Sequence, residues 1–169
     1  EEVYFDIIRR KTASLLAACC ACGAAAAGAD DKTVERMWGL GERVGLAFQI
    51  QDDLLDLGEG DRTGKPTGQD IRERKMTLPL IHTLATASAS ERRRLIRLVK
   101  HKSDDAGAVK EVMDAILAGP GMDRARSEMQ RLKEESLALL NELGNDSAVS
   151  NEARDALRDL IEYTIRRVK

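Results

Sequence analysis

Residues 2–27 contain no proline and are rich in alanine, leucine and isoleucine up to Gly28. A stretch of this length and composition has one simple solution, a helix, with bends expected near Lys11-Thr12 or Gly23. Its apolar character predicts burial. Phe, Trp and Tyr supply only 3% of the chain while apolar residues make up 43%, so alanine and leucine must do most of the packing, which favours helices over sheets.

The same reading extends along the chain. A second helix is predicted over 32–57, where Gly39, Gly41 and Gly45 weaken propensity but permit close helix approach. The stretch 58–69 holds four glycines and a proline and reads as a functional loop. Further helices are predicted over 76–87, with Pro79 in the first turn, and from a Ser88 or Ser90 cap to Lys100. Three more follow over 108–118, 122–143 and 151–168, separated by glycine-containing turns. In the helix from 122, Met122, Met129, Leu132, Leu139, Leu140 and Leu143 form an amphipathic stripe read as core packing. At 169 residues, a single all-helical domain over 1–169 is expected.

Charge and cysteine content narrow the functional classes. A net charge of −2 from 27 basic and 29 acidic residues gives no general drive toward nucleic acid or an anionic membrane. Cys19, Cys20 and Cys22 lack zinc-site spacing and read as reduced core residues. No apolar run is long enough for a transmembrane segment, and a cytoplasmic location is expected. The opening Glu1-Glu2-Val3-Tyr4-Phe5 looks like the interior of a helical segment, so the chain is expected to be a fragment.

The chemistry concentrates between Gly45 and Leu57. Gln49, Asp52, Asp53 and Asp56 are spaced i, i+3, i+4 and i+7, which puts them within an arc of roughly 100° on a helix. Phe48, Ile50, Leu54, Leu55 and Leu57 occupy the rest of the circumference. An Asp-Asp-x-x-Asp pattern alone is equally compatible with a solvated face or a cap on a neighbour. Apolar surroundings favour a cavity, where clustered carboxylates raise one another's pKa unless a cation is present. Oxygen ligands without His or Cys select magnesium, manganese or calcium, and magnesium commonly shares phosphate oxygens with its substrate. The next segment, from Asp61 to Lys75, supplies cations. Lys65 sits beside Gly64 but lacks Walker-loop spacing.

Together, Phe48-Gln49-Ile50-Gln51-Asp52-Asp53-Leu54-Leu55-Asp56, Gly64-Lys65-Pro66-Thr67-Gly68-Gln69-Asp70 and Lys75-Met76-Thr77-Leu78-Pro79-Leu80 resemble the second aspartate-rich region of trans-type polyprenyl diphosphate synthases. Arg10-Lys11-Thr12-Ala13 is similar to the family's Lys-Thr site. The resemblance is strong over residues 1 to about 85 and implies an all-α helical bundle of the isoprenoid synthase type, of which this would be the carboxyl-terminal portion. It implies a prenyltransferase that condenses isopentenyl diphosphate with an allylic diphosphate, acting as a homodimer in its parent form. Asp52, Asp53 and Asp56 would hold Mg2+, and Lys11, Lys65 and Lys75 would neutralise diphosphate oxygens. Lys11, Thr12 and Gln49 would lie near the developing allylic cation.

The first aspartate-rich motif and the basic isopentenyl diphosphate site of that family are missing. Asp30-Asp31 and Asp104-Asp105 read as turn or capping pairs, and His82 and His101 as bystanders. Little condensing activity is therefore expected of this chain alone, and self-association is expected through exposed apolar walls. A catalytically incomplete partner subunit and a helical interaction module are the competing readings. A terpene cyclase is disfavoured by the Gly64-Lys65 loop and the low aromatic content.

Overall fold

A computed structural model describes residues 1–58, 67–143 and 150–166. Its described elements are all helical: α1 (Glu2–Ile8), a π-helical turn (Arg9–Ala13), α2 (Ser14–Ala26), α3 (Asp31–Leu57), α4 (Gln69–Arg72), α5 (Leu78–Thr86), α6 (Ala89–His101), α7 (Ala106–Ala118), α8 (Gly121–Leu143) and α9 (Asn151–Arg166). The backbone groups into two compact units. One comprises Glu2–Gln49 with Glu128–Val168, and the other is built on Ile50–Ser127.

In the unit built on Glu2–Gln49, the expected first helix forms, and its regularity breaks at the predicted place. Arg9–Ala13 widens into a π turn and the helix resumes at Ser14. Gly28, at φ 80°, ends the run in the left-handed conformation that glycine adopts without steric cost. Glycines on α3 then set the packing. A Cβ on Gly41 would stand 2.6 Å from the Leu16 carbonyl oxygen, and one on Gly45 would stand 2.5 Å from Ala13 Cα. Both contacts are with backbone, which cannot swing aside. Gly39 is different, since its nearest neighbour is the guanidinium end of the Arg43 side chain at 3.2 Å, not backbone.

Leu40, Leu46, Ala47, Leu132, Leu140 and Leu143 are buried in this unit. The α8 stripe is therefore core, with Met129 and Leu139 half-exposed at its margin. Ion pairs line the edge of this core. Arg43 Nε donates to Glu135 at 3.0 Å while its Nη1 donates to the Gly39 carbonyl. Arg9 of the π turn faces Glu42 at 3.3 Å.

Burial of the first helix is only partial, which corrects the prediction. Tyr4, Ile8, Ala13, Ala17 and Ala21 are buried, but Val3, Ile7 and Leu15 are exposed. Cys19 and Cys22 are exposed as well, and Cys20 is half-buried, so the cysteines are free thiols near the surface and not core residues. The physical reason is geometric. A helix apolar all round can bury only the faces for which neighbours exist.

The unit built on Ile50–Ser127 buries Ile50, Ile71, Leu78, Leu80, Val112 and Ile116 almost completely. Pro79 lies in the first turn of α5, as its missing N–H and fixed φ favour. Ser88 caps α6, its Oγ accepting the Glu91 N–H at 3.3 Å. Asp105 does the same for α7, accepting from Ala108 at 2.7 Å, and in the other unit Asp30 accepts from Thr33 at 2.8 Å. Both acidic pairs thus contribute caps, as predicted. Gly121 fits against the Pro79 carbonyl and the Thr83 hydroxyl of α5, where a side chain has no room.

The two glycines on α3 should separate experimentally. Gly45→Ala forces backbone apart and is expected to destabilise by about 1–3 kcal/mol, the usual cost of overpacking. Gly39→Ala, with only a flexible neighbour, is expected to be neutral or to stabilise by up to about 1 kcal/mol through helix propensity. Urea denaturation midpoints of the two variants check the contrast.

Candidate active site

The acidic stripe forms on α3 as predicted, and Gln49, Asp52, Asp53 and Asp56 are all half-exposed on that helix. Ile50, Leu54 and Leu57 on its other faces are buried. The carboxylates do not merely face outward. Asp56 accepts the Gln69 N–H at 3.1 Å on one oxygen and the Asp70 N–H at 3.0 Å on the other. Its own carbonyl accepts the Gly68 N–H at 2.9 Å. The start of α4 is therefore stapled to the end of α3.

Gly68 makes that staple possible. Its φ of 75° is left-handed, and a Cβ there would strike Met113 Sδ and Val109. Asp53 performs a related task one step further on. Its Oδ2 accepts the Leu78 N–H at 3.2 Å, serving the amino terminus of α5, whose own N-cap residue Thr77 provides no side-chain cap. Amide donors at a helix start are unsatisfied within the helix and carry partial positive charge, so a carboxylate is the favoured acceptor.

The electrostatics differ from the sequence expectation in one respect. Burial raises the Asp56 pKa above its ordinary value, its two backbone hydrogen bonds oppose that rise, and the like charge that adds to it is Asp70. Asp70 was legible in the Gly68-Gln69-Asp70 motif but was not counted among the site carboxylates. It accepts a hydrogen bond from Lys75 Nζ at 2.8 Å, and Glu73 faces the same ammonium at 2.7 Å. These two partners, Asp70 first, hold the Lys75 pKa above the usual lysine value. Gln69 closes the group by donating to Glu73 at 2.9 Å.

Lys11 and Thr12 both lie in the π turn, Lys11 exposed and Thr12 half-exposed. The turn is pinned at its carboxyl end, where fully buried Ala13 meets the bare backbone of Gly45. Lys65 lies outside the described residues. His82 is buried within α5 and His101 is exposed at the end of α6.

With this geometry in view, comparison with known proteins is decisive. The family model for polyprenyl synthetase matches residues 1–116. The chain belongs to the polyprenyl synthetase family. A nonaprenyl diphosphate synthase from Mycobacterium tuberculosis is 36% identical over 98% of this chain and 48% of its own length. Component 2 of a heptaprenyl diphosphate synthase from Geobacillus stearothermophilus is 37% identical over 95% of this chain and 48% of its own length. The crystal structure of a Caulobacter crescentus polyprenyl synthase, complexed with calcium and isoprenyl diphosphate, matches with a TM-score of 0.85 and 30% identity over 99% of this chain and 50% of that one. The all-α fold is thus that of the polyprenyl synthetases, and this chain spans about half the length of these relatives.

The donor chemistry of the stripe fits a hard divalent cation in part. Among the described residues, no group of three or more His, Cys, Asp or Glu side chains is gathered as a metal cage. Asp53 and Asp56 each accept hydrogen bonds from backbone amides, and a carboxylate offers about four lone-pair sites in all. Such a set suits magnesium, which keeps several waters and takes one or two carboxylates together with phosphate oxygens.

The raised Asp56 value has a definite sign in stability. A carboxyl whose folded pKa exceeds the unfolded value binds its proton more tightly when folded. Its contribution is therefore most favourable below the ordinary value of 3.8 and diminishes as pH rises through the folded value. Asp56→Asn, which keeps one oxygen acceptor and carries no charge, is expected to flatten this component of the pH dependence. Urea denaturation of both proteins between about pH 3 and about pH 7 would show it as converging slopes.

Proposed function

We propose that this chain carries the second aspartate-rich half of a polyprenyl diphosphate synthase site, which binds the diphosphate of an allylic substrate. One observation carries the reading: Asp56 accepts both the Gln69 and Asp70 amides, tying the acidic stripe to the segment that bears Lys75. Carboxylates and a cation thereby meet within one compact unit. The relative whose structure holds calcium and isoprenyl diphosphate supports the same ligand class.

In this reading Asp52, with remaining lone pairs of Asp53 and Asp56, would hold Mg2+, the ion this family generally uses. Bound there, magnesium supplies charge neutralisation for the departing diphosphate. Lys75 has three N–H donors, two of them directed at Asp70 and Glu73, and the third is available to a phosphate oxygen. Lys65 and Lys11 would add positive charge around the same diphosphate. The allylic carbon–oxygen bond would break with its electron pair leaving on diphosphate, the isopentenyl double bond would attack the resulting cation, and the new cation would give a proton to an oxygen of the departed diphosphate, restoring a double bond. Thr12 and Gln49 present uncharged dipoles suited to stabilising that cation without trapping it. No step requires a Ser-His or Cys-His nucleophile.

A second reading has its own support. A relative of comparable similarity is named as one component of a heptaprenyl diphosphate synthase, so a chain of this family that completes its site with another polypeptide is chemically reasonable. Exposed Val3, Ile7 and Leu15 on the first helix fit either completion in trans or self-association. A homodimer belongs to the first reading as a proposal. Among the described residues no helix is long and apolar enough to cross a membrane.

Calorimetric titration with a non-hydrolysable allylic diphosphate analogue, with and without magnesium, tests the proposal. Magnesium-dependent binding that disappears in Asp52→Ala is expected. Binding indifferent to both magnesium and Asp52 would overturn it. Turnover of isopentenyl and allylic diphosphates by this chain alone would contradict the expectation that half a site is insufficient, and light scattering would reveal whether self-association occurs.

A further inference from the structure

We propose that Arg74 and Ser103 form a clasp that positions Lys75, making Arg74 a positioning residue of the site. Among the described residues Arg74 is the non-glycine with positive φ, at 59°. Residues with a bulky side chain avoid this left-handed region, and glycine occupies it freely. An arginine held there needs a compensating contact. The contact is Nε, which donates to Ser103 Oγ at 3.0 Å.

Ser103 is a firm anchor, only 2% exposed in the turn between α6 and α7. That turn is itself closed by the Asp105 N–H on the Lys102 carbonyl at 3.0 Å, just before Asp105 caps α7. A strained turn is thus tied to an ordered one 29 positions away.

The strained turn has a specific result. The Arg74 N–H reaches the Ile71 carbonyl at 3.0 Å and the Lys75 N–H reaches the Asp70 carbonyl at 2.9 Å, so the chain doubles back at the end of α4. The Lys75 ammonium then falls between Asp70 and Glu73, beside the amide that Asp56 holds. A regular helical residue at 74 would carry the chain onward and send Lys75 elsewhere. The clasp is an inference from geometry alone. Its bearing on catalysis rests on the proposal that Lys75 meets the diphosphate.

Site-resolved acylation of the chain with a trace amount of an amine-reactive acetyl ester, read by peptide mass spectrometry, tests the clasp. Lys110, paired with Asp114 on α7, serves as internal reference. In Ser103→Ala and in Arg74→Ala, which removes the contact while its Cβ still disfavours the left-handed turn, the Lys75 rate relative to Lys110 is expected to rise about fivefold, the factor corresponding to one net hydrogen bond. The pH midpoint of Lys75 acylation is expected to fall toward the ordinary lysine value. Arg74→Ala leaves buried Ser103 in place and is the safer variant for folding, so it decides alone if Ser103→Ala loses its helical circular dichroism, whereas Arg74→Gly, free to hold the turn, is expected to keep Lys75 near the parent rate. An unchanged Lys75 rate and midpoint in folded Arg74→Ala would overturn the clasp. Increased reactivity with undiminished magnesium-dependent binding of the diphosphate analogue would leave the clasp standing and remove Lys75 from the diphosphate site.

Discussion

The carboxylate of Asp56 is the joint on which the candidate site depends. Two backbone amides from the start of α4 end on its two oxygens, and the same residue's carbonyl receives Gly68. Each hydrogen bond to an ionised acceptor contributes more than a neutral one, and the cost of burying the charge is offset in part by donors that have no other partner within their helix. Remove that carboxylate and α4, only four residues long, has little else to hold its first turn. Because α4 leads through Arg74 into Lys75, placement of the cationic segment follows from placement of one acid.

Asp53 extends the same logic to α5. Its bond to the Leu78 amide anchors the helix that begins Leu78-Pro79-Leu80, whose side chains are buried. Core packing and site chemistry are therefore coupled through shared residues. The apolar faces of α3 and α5 bury Ile50, Leu54, Leu78 and Leu80, each worth about 1.5–3 kcal/mol in transfer free energy before entropy is counted. The polar face of α3 then uses that fixed frame to aim its oxygens. An acidic stripe within an otherwise apolar helix is the sequence signature of this double duty.

Much of this was legible from the residues. Helical period, proline and glycine punctuation and capping serines located the helices, and the clash between three acids and their apolar neighbours pointed to the candidate site. An irregularity at Lys11-Thr12, one of the two places expected, and the tight approach at Gly41 and Gly45, though not at Gly39, also followed from composition. What could not be read is long-range pairing. Nothing local in Asp53 announces Leu78, 25 residues on, and nothing in Arg74 announces Ser103. Capping by distant carboxylates depends on tertiary geometry, so the Asp-Asp-x-x-Asp pattern left a cap on a neighbour as an open alternative without naming the helix starts that Asp53 and Asp56 serve. The alanine- and cysteine-rich helix misled for the opposite reason. Composition reports what a face would prefer to touch, not whether a neighbour is there.

Backbone irregularity and polar chemistry coincide twice in this chain. Regular helices satisfy their own amides and carbonyls and offer only side chains to a ligand. Lys11 and Thr12 sit where the helix widens to a π turn, a feature common at functional positions because it alters side-chain direction without ending the helix. Lys75 follows the left-handed Arg74. In each case a rigid partner holds the distortion: Ala13 against Gly45 in one unit, and Ser103 against Arg74 in the other. Strained or widened backbone persists only where packing over-determines it. The two distortions carry the two described lysines of the proposed site, so the direction of each ammonium follows from a backbone irregularity that packing or a hydrogen bond holds in place.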